Sequence, residues 1–402
     1  MTQSQQLRKL AARSATAFLL AALCVFPLYI DKFSNLGVVK FTGICTLSWA
    51  FALWLGALAC VGARPDPGRL PWKADPALWT LGAVTASGVV STVLSLSPGA
   101  SFWGLGGYYG GCMMVLFTAA GYLAVRAFAP QKILNGLTFC VGVTTALVTV
   151  LYVLNIFNID LIGTYADTAV VERAQFFSTL GQKNFCSGFM AFALPLVLCF
   201  VLLEQRRYLP AAVLYGVALA IKPQALLFGP VLAVCYLAAI TLEKDRLRAF
   251  GRCFGGAALA LLPPLLTGLP FFGVVQLIPK LIDKYTGTMS GYPYATINAF
   301  NWLAALGGNW KGQADPALFG ISWQQLGCLN ILLVTAGLAY FAVRSVRGGW
   351  FSPLLLAAYY GIGIFTLAHC MHERYMVPGV LLTLLAAAHW NDIRLYAAGV
   401  GL

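Results

Sequence analysis

The chain has 402 residues, 60% of them apolar and only 10% charged, against about 25% charged in ordinary soluble domains. That leaves too few polar residues to cover a soluble core of this size, which excludes a soluble globular protein. The formal charge of +13 invites a nucleic-acid partner, but the charges fall in short segments between long apolar stretches, which removes that reading.

The apolar runs are about 17 to 25 residues long, the length that crosses roughly 30 Å of hydrocarbon as an α-helix. Alternation over ten-residue segments, the mark of a membrane barrel, is absent. Lipid offers the backbone no hydrogen-bond partners, so helices are what remain. In chain order the sequence predicts helices over 14–30, 38–62, 78–97, 108–128, 133–157, 185–203, 208–221, 224–241, 253–268, 320–343, 350–368 and 376–390. The expected fold class is all-α, a polytopic transmembrane bundle of about twelve helices in contact with membrane lipids.

The first helix follows Arg8, Lys9 and Arg13, as a signal peptide would. Phe26-Pro27-Leu28-Tyr29 follows it in place of a small-residue cleavage site, so it is read as retained. With the N-terminus cytoplasmic, seventeen of the 26 Lys and Arg residues fall inside, as the positive-inside rule requires. The eleven cysteines form no CxxC pair and lie mostly in apolar helices, where they read as packing residues.

Two outer segments, 158–184 and 269–319, are long, polar and aromatic-rich, and ordered loops of that kind often carry function. In the second, Phe271, Val274, Val275, Ile278, Leu281 and Ile282 recur at helical spacing beside Lys280, Asp283 and Lys284. This predicts a short interfacial helix kinked at Pro279, serving as an anchor or as a lid over substrate. The stretch 208–240 lies between basic flanks and must cross an even number of times, as two short helices meeting at Lys222-Pro223-Gln224. Lys222 then sits at the outer interface, where its ammonium is costly without an anion. It is either a snorkelling turn lysine or a contact to the phosphate of a lipid-linked donor.

The densest polar group is His369-Cys370-Met371-His372-Glu373-Arg374-Tyr375, on the outer side between two helices. On a helix start, His372 and Tyr375 would share one side, as would His369 and Glu373. Arg374 can hold a phosphate by two parallel hydrogen bonds, while His372 or Glu373 steers a proton or a sugar hydroxyl. The alternative is a set of polar anchors at helix ends. The order lacks HExxH, and no DxD or paired-carboxylate signature marks a metal site, so no metal or other cofactor is evident. Asp31, beside Lys32 in the first outer loop, is either a base toward an acceptor hydroxyl or a solvated helix boundary. Asp160, Asp167 and Glu172 are weaker rivals for that role.

Three motifs in the second half carry a resemblance. They are Lys222-Pro223-Gln224-Ala225-Leu226 followed by Gly229-Pro230, Tyr292-Pro293-Tyr294-Ala295-Thr296-Ile297-Asn298-Ala299-Phe300-Asn301-Trp302, and Met371-His372-Glu373-Arg374-Tyr375. In this order they resemble bacterial relatives of the GPI mannosyltransferase that adds the second mannose, a GT-C-type membrane glycosyltransferase family. The resemblance implies a GT-C-like fold in a bacterial cytoplasmic membrane, with a polyprenyl-phosphate-linked sugar donor and a glycan or lipid acceptor on the outer face. It also implies substrate binding by Lys222, Gln224, Tyr292, Asn298, Asn301, Arg374 and Tyr375, and catalysis by His372 and Glu373. Such enzymes usually place a carboxylate in the first outer loop, the topological position that Asp31 holds here.

Residues 15–205 are similar instead to the N-terminal half of the O-antigen ligase and polymerase family. The carriers are Ser91-Thr92-Val93-Leu94-Ser95, Phe102-Trp103-Gly104, and Ser178-Thr179-Leu180-Gly181-Gln182-Lys183-Asn184-Phe185 followed by Pro195. The implied organisation is a ligase-like half over 1–207 and a mannosyltransferase-like half over 208–402, with 269–319 as its large outer loop. The expected function is transfer of a mannose-like sugar. The alternatives are ligase-like transfer of whole glycans from polyprenyl diphosphate, transport of lipid-linked sugars, and an inactive fused remnant. Transporters often show paired broken helices, and one break, near Pro223, is evident here.

Overall fold

The computed structural model describes residues 3–31, 36–63, 75–104, 111–128, 134–163, 176–177, 179, 181–182, 194–290, 293–299 and 301–401. These residues are predominantly α-helical, with two short two-stranded pairings. Each of the twelve predicted stretches carries a helix. Among the described residues, six helical segments are long and apolar enough to cross a membrane: Gln3–Leu28, Val38–Cys60, Pro76–Val93, Pro223–Leu242, Arg246–Gly287 and Trp323–Gly348. Cys112–Phe128, Pro195–Glu204, Tyr208–Ile221 and Pro353–Leu367 are apolar but shorter. The chain divides into two compact units, Met1–Cys186 and Ser187–Val400.

The first unit contains α1 (Gln3–Leu20), α2 (Leu36–Cys60), α3 (Pro76–Val93), α4 (Pro98–Trp103), α5 (Cys112–Phe128) and α6 (Leu134–Ile156), with β1 (Phe176–Phe177) antiparallel to β2 (Gly181–Gln182). Helix α1 runs on through a π turn, Ala21–Val25, into a 3-10 turn, Phe26–Leu28. Pro27 brings no N–H to the ladder, so the α pattern cannot continue there. Lys40 donates to two carbonyls of this turn, Phe26 O at 3.2 Å and Pro27 O at 3.1 Å. Ala11 and Ala15 admit Phe51 and Leu55 of α2, and the Phe18 and Phe51 rings stack at 4.2 Å. Asp75, fully buried, caps α3 by accepting from Ala77 N at 2.9 Å and forms an ion pair with Arg126 at the end of α5.

The second unit contains α7 (Leu194–Glu204), α8 (Tyr208–Ile221), a 3-10 segment Pro223–Phe228, α9 (Gly229–Leu242), α10 (Arg246–Ser290), α11 (Trp302–Ala305), α12 (Trp323–Gly348), α13 (Pro353–Leu367), α14 (Val377–Trp390) and α15 (Ile393–Gly401). Its core gathers Leu196, Phe200, Phe228, Leu338, Tyr360 and Leu382. Small residues set the closest helix approaches, as expected where lipid supplies no hydrophobic drive. A Cβ on Gly216 of α8 would overlap the Ala260 carbonyl of α10. One on Gly361 of α13 would lie 3.1 Å from the Gly379 Cα of α14.

Helix α10 corrects one expectation. Its apolar segment runs 42 residues, Arg246–Gly287, or about 63 Å if straight, twice the hydrocarbon thickness. It is not straight. The break falls at Gly273 (φ 64°, ψ 170°), not at Pro279, and Pro263, Pro264, Pro270 and Pro279 all lie within helical backbone. Only glycine adopts those angles without strain. The chain turns back there: a Cβ on Gly268 would touch Leu277 at 2.9 Å and Leu281 at 3.3 Å, residues that a straight helix would carry about 13 Å or more further on. On either side of the break Phe271, Val274 and Val275 are more than four-fifths exposed. Tyr285 donates to Leu219 O at 2.9 Å, three residues before Lys222, and so ties the returning segment to the end of α8.

Candidate functional site

The site begins with a break imposed by sequence. Proline disfavours helical backbone in the residue before it, and Lys222 is accordingly extended (φ −145°, ψ 118°) between α8 and the 3-10 segment. The chain is re-anchored locally: Lys222 N donates to Ala218 O at 2.9 Å, Ala225 N to Lys222 O at 3.0 Å, and Tyr215 Oη to Ala225 O at 3.1 Å. This leaves the Lys222 and Gln224 side chains at the head of two helices.

The second component is the loop between α13 and α14. It is extended through β4 (Met371–His372), and only at Glu373 does a 3-10 turn, Glu373–Met376, begin. The helical pairing expected of His369 with Glu373 therefore does not form. His372 and Tyr375 do share one side, with ring centroids 6.1 Å apart. Gln224 Nε2 donates to Tyr375 Oη at 3.1 Å, joining residues 151 apart in sequence.

The third component docks onto that loop. β3 (Thr296–Ile297) runs parallel to β4, with Thr296 opposite Met371 and Ile297 opposite His372. Cys370 N donates to Ala295 O at 2.8 Å, and Thr296 Oγ1 to Met371 O at 3.3 Å. Residues 293–299 and 301–322 fold as a compact cap around Ala295, Leu303 and Trp323, helped by Trp310 N donating to Thr296 O at 2.9 Å.

Two asparagines lock this arrangement. The last carbonyls of a helix have no intrahelical donor. At the end of α13, buried Asn301 donates to Phe365 O at 3.1 Å and Ala368 O at 3.2 Å, while Asn330 of α12 donates to Leu367 O at 2.8 Å. Asn301 Oδ1 also accepts from Ala304 N, capping α11. In this structure Asn301 holds the loop. Asn298 is exposed, accepts from Trp310 Nε1 at 3.0 Å, and takes up a left-handed conformation that asparagine tolerates. Tyr292 lies outside the described residues. Sequence reasoning missed Asn330, whose one signal was an amide beyond the first turn of an apolar helix.

The gathered side chains make a half-buried cationic centre. Burial, reinforced by the neighbouring Arg374 guanidinium, pushes the Lys222 ammonium down to about 8. His372 is also held below its usual range, first by burial and then by Arg374, with Glu373 opposing, and its Nδ1 faces the Glu373 carboxylate in an ion-pair contact. Burial lowers His369 too; its ring packs so closely on Gly327 that a Cβ there would overlap it. The guanidinium of Arg374 lies over the Tyr375 ring at 5.9 Å. Among the described residues, the buried atoms Gln224 Oε1, His369 Nδ1 and Arg374 Nε have no hydrogen-bond partner. Such atoms are few in native proteins, and each calls for an explanation. A cavity of about 20 Å³ bounded by Gln224 and Tyr375 has room for one water. The space behind the Gln224–Tyr375 hydrogen bond is therefore too small for anything larger than a water.

No family model, curated protein or solved structure matches this chain.

Lys222, Gln224, His372, Glu373, Arg374 and Tyr375 thus come together in the second unit. Asp31 lies in the first unit and is exposed. Among the expected rivals, Asp167 and Glu172 lie outside the described residues. Among the described residues, no three His, Cys, Asp or Glu side chains are gathered as a metal site would require.

Proposed function

We propose that this protein is a multi-pass membrane glycosyltransferase of GT-C type. It transfers a mannose-like sugar from a polyprenyl-phosphate donor to a glycan or lipid acceptor on the outer face of a bacterial cytoplasmic membrane. In this reading the chain crosses about twelve times with its N-terminus cytoplasmic, so Lys222 and residues 369–375 face outward. The single observation that carries it is the convergence of Lys222, Gln224, His372, Glu373, Arg374 and Tyr375 from segments about 150 residues apart.

The chemistry follows from the charges. The acceptor hydroxyl attacks the anomeric carbon, the bond from that carbon to the phosphate oxygen breaks, and polyprenyl phosphate leaves with the bonding electrons. Lys222 and Arg374 neutralise the charge gained by the leaving phosphate, and Arg374 can grip it through two N–H groups. The hydroxyl proton passes to a carboxylate, for which the cluster offers Glu373, already oriented by His372. Gln224 and Tyr375 orient sugar hydroxyls at the edge of the cluster.

The test is transfer of labelled mannose from polyprenyl-phosphate mannose into an envelope-lipid extract, by the full chain in liposomes. Arg374→Gln and Lys222→Gln should each lower turnover by about 10- to 100-fold, as loss of a charge-assisted contact costs about 1.5–3 kcal/mol. Loss in Glu373→Gln but not Asp31→Asn would assign the base to the cluster. Unchanged turnover in both cation variants sinks the phosphate site. Consumption of a diphosphate-linked oligosaccharide instead of the monophosphate donor reassigns the protein as a glycan ligase.

A further inference from the structure

Beside the first turns of α8 and α10, at the other end of α8 from Lys222, lies an open groove of about 700 Å³. Its walls include Leu209, Ala258, Leu259 and Leu262, and its floor is Gly251 and Gly255 of α10. A Cβ on either glycine would meet nothing within 4 Å, so the space exists because side chains are missing. The same helix exposes Leu247, Phe250 and Phe254, as a surface bathed in acyl chains would.

The polar end of the groove is formed by Arg248 and Arg252. Arg252 is held in place by an ion pair with Glu243 and lies over the Tyr208 ring at 6.0 Å. The Arg248 guanidinium has no partner among the described residues. Asp245, the other nearby acid, caps α10 by accepting from Arg248 N at 3.0 Å. Lys244 and Arg246 add positive charge, as does the N-terminal end of the α10 dipole. A groove that is aliphatic along its length and cationic at one end matches a molecule with an acyl chain and an anionic head. Basic pockets at the ends of membrane helices recognise lipid headgroups on these terms.

We propose that this groove binds one anionic glycerophospholipid, with its phosphate at Arg248 and Arg252 and an acyl chain over Gly251, Gly255 and Leu259. The site is independent of the sugar-transfer reading. It is tested by native mass spectrometry of the full chain released from nanodiscs of equal phosphatidylglycerol and phosphatidylcholine. The wild type should retain one phosphatidylglycerol, in preference to phosphatidylcholine by on the order of tenfold. Arg248→Gln should abolish the preference. Gly255→Leu should fill the floor and lower retention of both lipids several-fold. Gly82→Leu, where a Cβ on α3 also meets open space, should change neither. Equal retention of the two lipids by the wild type overturns the proposal, as does a preference unchanged in Arg248→Gln. If Gly255→Leu does not fold, Arg248→Gln decides alone.

Discussion

The two units solve the same packing problem differently. In the first, largely apolar helices are joined by a few polar ties, such as Asp75 with Arg126 and Lys40 with the carbonyls at Pro27. Trp79 and Phe139 stand about two-thirds or more exposed there. In the second, glycines bring backbones together and buried amides close the helix ends. Lipid tails solvate a leucine as well as another leucine does, so apolar area does not choose helix partners in a membrane. Small or polar residues make that choice, and a few of them determine each unit.

Breaking one determinant in each unit tests the contrast. Asp75→Ala should cost the first unit about 2–5 kcal/mol, because it removes both a charge-assisted contact to Arg126, which keeps its hydrogen bond to Tyr122 Oη, and a helix cap. Unfolding in mild detergent, followed by fluorescence probes in each unit, should show an early transition in the first while the second keeps its midpoint. A shift of equal size in both would mean that the units do not unfold separately. Asn330→Leu should act on the second unit and more weakly, at about 1–3 kcal/mol for one orphaned carbonyl. Because Leu367 lies just before the 369–376 loop, that variant should also speed proteolysis within 293–322. Unchanged cleavage would separate the cap from the helix end.

The smallest effect concerns charge. With its pKa pushed down to about 8, Lys222 is protonated in about nine-tenths of molecules at pH 7 and about one-tenth at pH 9. Affinity for a phosphate-headed polyprenyl lipid should therefore fall by up to about tenfold over that range, and binding should take up a proton. Lys222→Arg should flatten the profile. Arg374→Gln should move the falling limb to higher pH, since one cause of the depression is gone. A flat wild-type profile would show that Lys222 does not meet the anion.

Much of the local structure was legible in the chain. Apolar runs marked the helices, and Pro223 placed the break that leaves Lys222 extended, because a proline restricts the residue before it whatever its surroundings. The polar heptad 369–375 stood out among apolar neighbours. The interfacial kink was less legible. Prolines are tolerated within membrane helices, so Pro279 misled, and the turn fell at Gly273, which alone can adopt its angles.

The sequence by itself determined that this is a helical protein too apolar for water, and which short segments hold its charges. Those properties follow from composition and local backbone sterics, which act over a few residues. Only the tertiary structure decided that Ile297 lies beside His372, that Gln224 reaches Tyr375, and that Asn301 and Asn330 serve the end of α13. These contacts satisfy buried donors and acceptors 37 to 151 residues apart. No periodicity encodes them, because any buried amide will accept whichever carbonyl the fold brings within reach.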